Sequence, residues 1–95
     1  MSAYILASVD VTNPEQYEQY KQWSTRAIQE FGGKVLVRGG AVEVLEGDWN
    51  PGRTVIVEYP DVATARAFYN SETYGKAREA RAGAATMRMV VIEGA

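Results

Sequence analysis

The sequence of 95 residues contains neither cysteine nor histidine. Without cysteine, the chain can form no disulfide, thiolate nucleophile or zinc–thiolate site. Without histidine, it lacks the commonest general base and the commonest metal ligand of proteins. The remaining residues show no spacing typical of a metal site, a phosphate-binding loop or a dinucleotide-binding motif. The sequence therefore predicts a protein with no metal and no organic cofactor.

An excess of charge of one sign is missing as well. The 10 Lys and Arg residues oppose 12 Asp and Glu residues, which leaves a net charge of −2. No basic surface for nucleic acid is therefore expected. Met1, Ser2 and Ala3 run directly into a strand-like pattern, and the sequence has no long apolar segment, basic leader or lipidation motif. We expect a cytoplasmic protein that binds neither nucleic acid nor a membrane.

Two helical regions have well-marked starts. Asn13 can cap the first helix, Pro14 suits its first position, and apolar residues recur at helical spacing over Tyr17–Phe31. Asp61 can cap the second helix. Polar residues at Asn70–Ser71 interrupt this second helix, and the chain can start another helical segment directly after them.

Alternation of apolar and polar residues predicts the strands. The pair Gly39–Gly40 lies between two strand-like runs and allows either a tight hairpin or a sharp bend in one long strand. The sequence leaves both arrangements open. The predicted strand-like runs are Ala3–Val11, Lys34–Arg38, Ala41–Leu45, Arg53–Tyr59 and Thr86–Ile92.

The short chain is expected to form one domain over residues 1–95, because it has no residues to spare for a second core. The elements follow the order β-α-β-β-α-β. This order predicts a ferredoxin-like α+β fold, in which an antiparallel sheet carries both helices on one face.

The second face of this sheet is too apolar for a face that only meets water. Its predicted residues include Tyr4, Leu6, Ile56, Val90 and Ile92. Burial of apolar area is worth about 25 cal/mol per Å², so packing of two such faces would stabilise a homodimer. The partner chain would also cover the Trp in the turn between residues 46 and 52; the alternative is that this ring folds back on its own hairpin.

Four segments resemble an uncharacterised bacterial family of the dimeric α+β barrel superfamily. They are RGG at Arg38–Gly40, LEGDW at Leu45–Trp49, RTVIVEYP at Arg53–Pro60 and ARAFYNSETY at Ala65–Tyr74. The resemblance covers nearly the whole chain and implies a ferredoxin-like domain whose sheets pack face to face in a dimer. Superfamily relatives include cofactor-free monooxygenases, muconolactone isomerases, haem-binding proteins and stress-response barrels, and the lack of histidine argues against haem.

Four residues are candidates for a substrate-binding pocket between the helices and the sheet. Arg38 precedes the glycine pair and suits a carboxylate or enolate, although it could instead form an ion pair at the strand end. Tyr17, Tyr69 and Tyr74 would orient an aromatic or polyketide-like ligand, or would be ordinary core residues. Glu58 is a candidate base or a partner in an ion pair between subunits.

Two functions stay open at this level. The first is a pocket that binds or transforms a small anionic or aromatic metabolite without a cofactor. The second is a dimeric binding or stress-related module without catalysis. The sequence does not decide whether the protein is an enzyme.

Overall fold

The computed structural model describes residues 1–95 and contains four strands and three helices. None of the helices combines the length and the apolar character needed to span a lipid bilayer. The elements, in chain order, are β1 (Ala3–Val11), α1 (Pro14–Glu30), β2 (Lys34–Arg38), β3 (Arg53–Tyr59), α2 (Val62–Tyr69), α3 (Glu72–Arg81) and β4 (Ala85–Glu93).

A side chain caps the N-terminus of each of the three helices. The Asn13 side chain accepts a hydrogen bond from the backbone N–H of Gln16 at 3.1 Å, and Pro14 occupies the first turn. Asp61 caps α2 in the same way, and hydrogen bonding by the side chain of Thr64 and by its backbone N–H lowers the pKa of the Asp61 carboxyl group. Ser71 caps α3. The predicted caps and the predicted helix interruption are therefore confirmed.

The strands form one antiparallel sheet in the order β2-β3-β1-β4. Ile5 pairs with Val57 on one side and with Val91 on the other, so these three residues share the face that packs on the helices. The ferredoxin-like prediction is confirmed. The main core lies between this face and the helices and includes 12 buried residues: Ile5, Ala7, Val9, Tyr17, Tyr20, Ala27, Val57, Tyr59, Ala65, Phe68, Tyr74 and Ala77.

The predicted strand at Ala41–Leu45 is wrong. Residues 41–45 are irregular and exposed, and Leu45 is 92% exposed. A strand needs a neighbour for its backbone hydrogen bonds, and residues 41–45 pair with none of the four strands, although β2 and β4 each have a free edge. Gly39–Gly40 is thus neither a hairpin nor a bend within one strand. Instead, β2 ends at Arg38, and the Gly39 N–H donates to the Thr54 carbonyl at 2.8 Å.

A β-bulge at Leu36 changes the direction of the side chains at the end of β2. Val35 lies opposite Val57, but Val37 lies opposite Ile56 rather than Val55. Because of this extra residue, Arg38 comes opposite Val55 and shares the helix-facing side of the sheet with it. Regular alternation from Val35 would have placed Arg38 on the other face.

Candidate functional site

A cavity of about 180 Å³ lies between α1 and the sheet. Its walls are mostly apolar and come from alternate residues of β1 and β3, from β4, and from one side of α1. Phe68 of α2 and Tyr74 of α3 close its inner end. The helix-facing side of the sheet is therefore packed incompletely and leaves room for a small molecule.

Three cations line this cavity: Lys21 of α1, Arg38 of β2 and Arg53 of β3. All three residues are exposed, so their charged groups lie at the rim rather than at the buried end. Lys21 forms the one ion pair in the structure, with Glu18 at 3.0 Å, and neither arginine contacts a carboxylate. No Asp or Glu lines the cavity. Arg38 and Arg53 therefore present uncompensated positive charge to a ligand at the rim.

Arg53 is a site residue that the sequence prediction missed. It lies opposite Val9, on the helix-facing side of β3. The strand alternation contained the signal, because Arg53 precedes Val55 and Val57 on the same face.

Gly39 allows the Arg53 side chain to lie against the backbone after β2. A Cβ atom at position 39 would come 2.8 Å from Nη1 of Arg53. The φ angle of Gly39 is also +67°, which disfavours other residues. The glycine pair therefore permits a close approach, but what approaches it in this structure is an arginine of the same chain.

Tyr17 is buried on the same cavity wall, close to Arg53. Burial raises the pKa of Tyr17 above its ordinary value, and the Arg53 guanidinium acts in the opposite direction. Tyr17 stacks on Tyr20 at a centroid distance of 5.0 Å. At neutral pH the phenol stays protonated, so it can donate a hydrogen bond to a bound anion.

The inner end of the cavity contains a buried pair of phenols. The hydroxyl groups of Tyr20 and Tyr74 are 2.8 Å apart, and both lie near the sulfur of Met87. Burial raises the pKa of Tyr20 and Tyr74. These phenols satisfy each other, so they stabilise the core and are less free than Tyr17 to bind a ligand.

The structure brings together three of the four predicted pocket residues. Tyr17, Arg38 and Tyr74 line the cavity, whereas Tyr69 lines a separate groove between α2 and β4. Glu58 lies on the opposite face of the sheet, where it accepts a hydrogen bond from the Tyr4 hydroxyl at 3.2 Å. The carboxylate considered as a base is therefore not part of this cavity.

The sequence model of one protein family matches residues 2–95. The chain belongs to the DUF1330 family, a domain of unknown function. No curated protein sequence matches the chain significantly. Family membership confirms the resemblance seen in the sequence, and it assigns no activity to the domain.

Solved structures share the architecture of this DUF1330 domain. RPA0582 of Rhodopseudomonas palustris, a protein of unknown function, is 25% identical, has a TM-score of 0.73, and the match covers 99% of this chain and 82% of RPA0582. SnoaB of Streptomyces nogalater, a cofactor-independent oxygenase, is 10% identical with a TM-score of 0.64 and coverage of 99% and 93%. A Nitrosomonas europaea protein, described provisionally as an antibiotic biosynthesis monooxygenase, is 20% identical with a TM-score of 0.57 and coverage of 99% and 98%.

These similarities establish that the chain shares the α+β fold of these proteins. They do not transfer an activity, because one fold serves many functions and the site residues decide the chemistry.

Proposed function

We propose that this protein binds a small anionic metabolite with an aromatic or apolar body in the cavity beneath α1. The observation that carries the proposal is the combination of apolar walls with two arginines at the rim that form no ion pair, and with no carboxylate among the lining residues. Guanidinium groups bind planar carboxylates through two parallel hydrogen bonds, which fits Arg38 and Arg53. Tyr17 would donate a further hydrogen bond.

The size of the cavity limits the ligand. At about 180 Å³ it is smaller than the roughly 300–1,000 Å³ of pockets for drug-sized ligands. A molecule with a single ring suits this space better than a multi-ring polyketide. The apolar part would lie against Val55 and Val57, and the acidic group would stay at the rim.

Catalysis in this cavity would depend on the substrate more than on the protein. The phenols and guanidinium groups that line it are hydrogen-bond donors at neutral pH, and no carboxylate is present to act as a base. Such donors can stabilise an enolate that forms from an already acidic substrate. Binding without catalysis, the second function considered from the sequence, is favoured by the same absence of a base.

Benzoate is a suitable first probe, because it combines one ring with one carboxylate. Titration of the ¹⁵N-labelled protein should shift the amide signals of Lys21, Ser24 and Thr25, and benzamide, which has the same shape without the charge, should bind at least about tenfold more weakly. A metabolite screen by thermal shift extends the test, since a ligand at 100 times its Kd adds about 2.7 kcal/mol of stability.

Substitution of the rim arginines tests the site itself. Arg38→Ala and Arg53→Ala should each weaken binding of benzoate, or of any ligand found by the screen, by about tenfold or more. Arg26→Ala is the matched control, because Arg26 lies over the ring of Trp23 and does not line the cavity. Unchanged binding by both rim variants would contradict the proposed site, and unfolding of Arg38→Ala would favour a structural role for that residue.

We also propose that the protein is a homodimer that pairs through the sheet faces turned away from the helices. Val90 and Ile92 on this face are 53% and 50% exposed in the single chain, and Leu6 and Ile56 are half-buried beside them. A second copy would remove this apolar area from water. The cytoplasm, expected from the sequence, is the location that we propose for this dimer.

A further inference from the structure

A second groove, of about 370 Å³, lies on the helix-facing side of the sheet at its β4 edge. Its floor is formed by Met87, Met89 and Val91, which alternate along one face of β4. At about 3.3 Å per residue, these side chains form an apolar strip roughly 13 Å long. Val91 is 41% exposed, so the helices leave this end of the strip open.

Two guanidinium groups line the groove. Arg66 lies in the last turn of α2, and Arg81 lies in the last turn of α3. Neither residue forms an ion pair, and no Asp or Glu lines the groove. The groove therefore has the same combination of apolar surface and unpaired positive charge as the first cavity, although different residues supply the charge.

Arg81 is held in position by aromatic neighbours. Its guanidinium group lies over the ring of Tyr20 at 5.8 Å and close to Tyr74. The Nε atom of Arg81 is buried and has no hydrogen-bond partner. Buried donors in folded proteins are normally satisfied, so this N–H is an exception; because it is buried, a ligand in the groove would meet the rest of the guanidinium group instead.

We propose that this groove is a second binding site and that it takes a carboxylate with an unbranched apolar tail. The linear strip on β4 matches an extended chain better than a ring, and methionine side chains adapt readily to such a chain. Arg66 and Arg81 bind the carboxylate. This proposal does not depend on the ligand proposed for the cavity beneath α1. The groove and the cavity are nevertheless neighbours, because Met87 and Met89 line both of them.

Octanoate is the probe for this second site. In a titration of the ¹⁵N-labelled protein, octanoate should produce saturable shifts of the amide signals of Arg66, Tyr69, Val90 and Val91. Octanamide, which keeps the tail and lacks the charge, should bind at least about tenfold more weakly. Shifts confined to Lys21, Ser24 and Thr25 would show that octanoate enters the first cavity instead, and they would overturn the proposal.

The Arg66→Gln variant tests the role of the charge with little risk to folding, because Arg66 is exposed and Gln keeps much of its aliphatic stem. It should bind octanoate about tenfold more weakly and keep the affinity for benzoate unchanged. Arg26→Gln, an exposed arginine on α1, is the matched control and should bind octanoate normally. Equal octanoate affinity for Arg66→Gln and the unsubstituted protein would overturn the proposal, as would equal affinity for octanoate and octanamide.

Discussion

The two faces of the sheet consist of alternate residues of the same strands, and both are rich in apolar side chains. On β1, Ile5 is 5% exposed beneath the helices, whereas its neighbour Leu6 points to the other side and is only half-buried. On β4, the outward-facing Val90 and Ile92 remain about half exposed. Apolar content alone therefore does not explain the difference in burial; the presence or absence of a covering layer does.

The difference shows how much of the burial a single chain provides. Helices α1, α2 and α3 bury most of one face and enclose a network of aromatic rings around Phe68 and Tyr74. No segment of this chain covers the other face fully, and Trp49 in the nearby long loop is 69% exposed. The alternative in which the Trp49 ring folds back on its own hairpin is therefore not observed in the single chain.

A charged residue on the outer face should have the largest effect. In the proposed homodimer, Val90→Asp would bury one unpaired carboxylate from each subunit, and one such charge typically costs about 3–5 kcal/mol. Sedimentation should show a dissociation constant at least about 100-fold higher than that of the unsubstituted protein. Gln22→Glu is the control, because it changes the net charge by the same amount at an exposed position of α1. A monomer at micromolar concentration before any substitution would refute the dimer.

Adjacent truncations on β1 compare the faces directly. Ile5→Ala should lower the free energy of unfolding by about 2–5 kcal/mol, because the deleted atoms leave a larger cavity in the core. The loss should be the same at every protein concentration. Leu6→Ala should instead show a loss that shrinks as the protein is diluted and the dimer dissociates. Urea unfolding at two concentrations measures both, and a concentration-independent loss for Leu6→Ala would contradict the dimer proposal.

Removal of one tyrosine hydroxyl group from each face compares the faces again, with smaller expected losses of stability. Tyr20→Phe leaves the buried hydroxyl of Tyr74 without its 2.8 Å partner and should cost about 1–3 kcal/mol. Tyr4→Phe removes the hydrogen bond to Glu58 on the outer face, at 3.2 Å, and in protein diluted until the proposed dimer dissociates it should cost less than about 1 kcal/mol, because water can then replace the bond. Equal losses of stability would indicate that the outer face is as dry as the core.

The smallest effect is spectroscopic. In a Trp23→Phe background, Trp49 is the one tryptophan left in the chain. If the partner chain covers its ring, the emission should be blue-shifted at high protein concentration and should move toward that of tryptophan in water on dilution. Water-like emission at all concentrations would show that Trp49 lies outside the interface.

Several features of the fold could be predicted because local interactions produce them. Asn13, Asp61 and Ser71 can cap helices with their own side chains, and Pro14 fits only near a helix start. The alternation along β1 and β3 identified the helix-facing residues correctly, because the side chains of a strand alternate strictly while the strand is regular. The same alternation would have pointed to Arg53.

Within this protein, the sequence by itself determined the helices, their caps, the order of the elements and the apolar character of both sheet faces, since each depends on neighbouring residues. Tertiary structure decided the rest. The bulge at Leu36 turned Arg38 toward the cavity, and a bulge depends on how two distant strands pair. Residues 41–45 have a strand-like pattern but pair with no other strand, so the pattern alone did not produce a strand. Tyr69 lies apart from Tyr17, because α2 packs on β4 and places Tyr69 in another groove. Helical spacing along the sequence does not specify this packing.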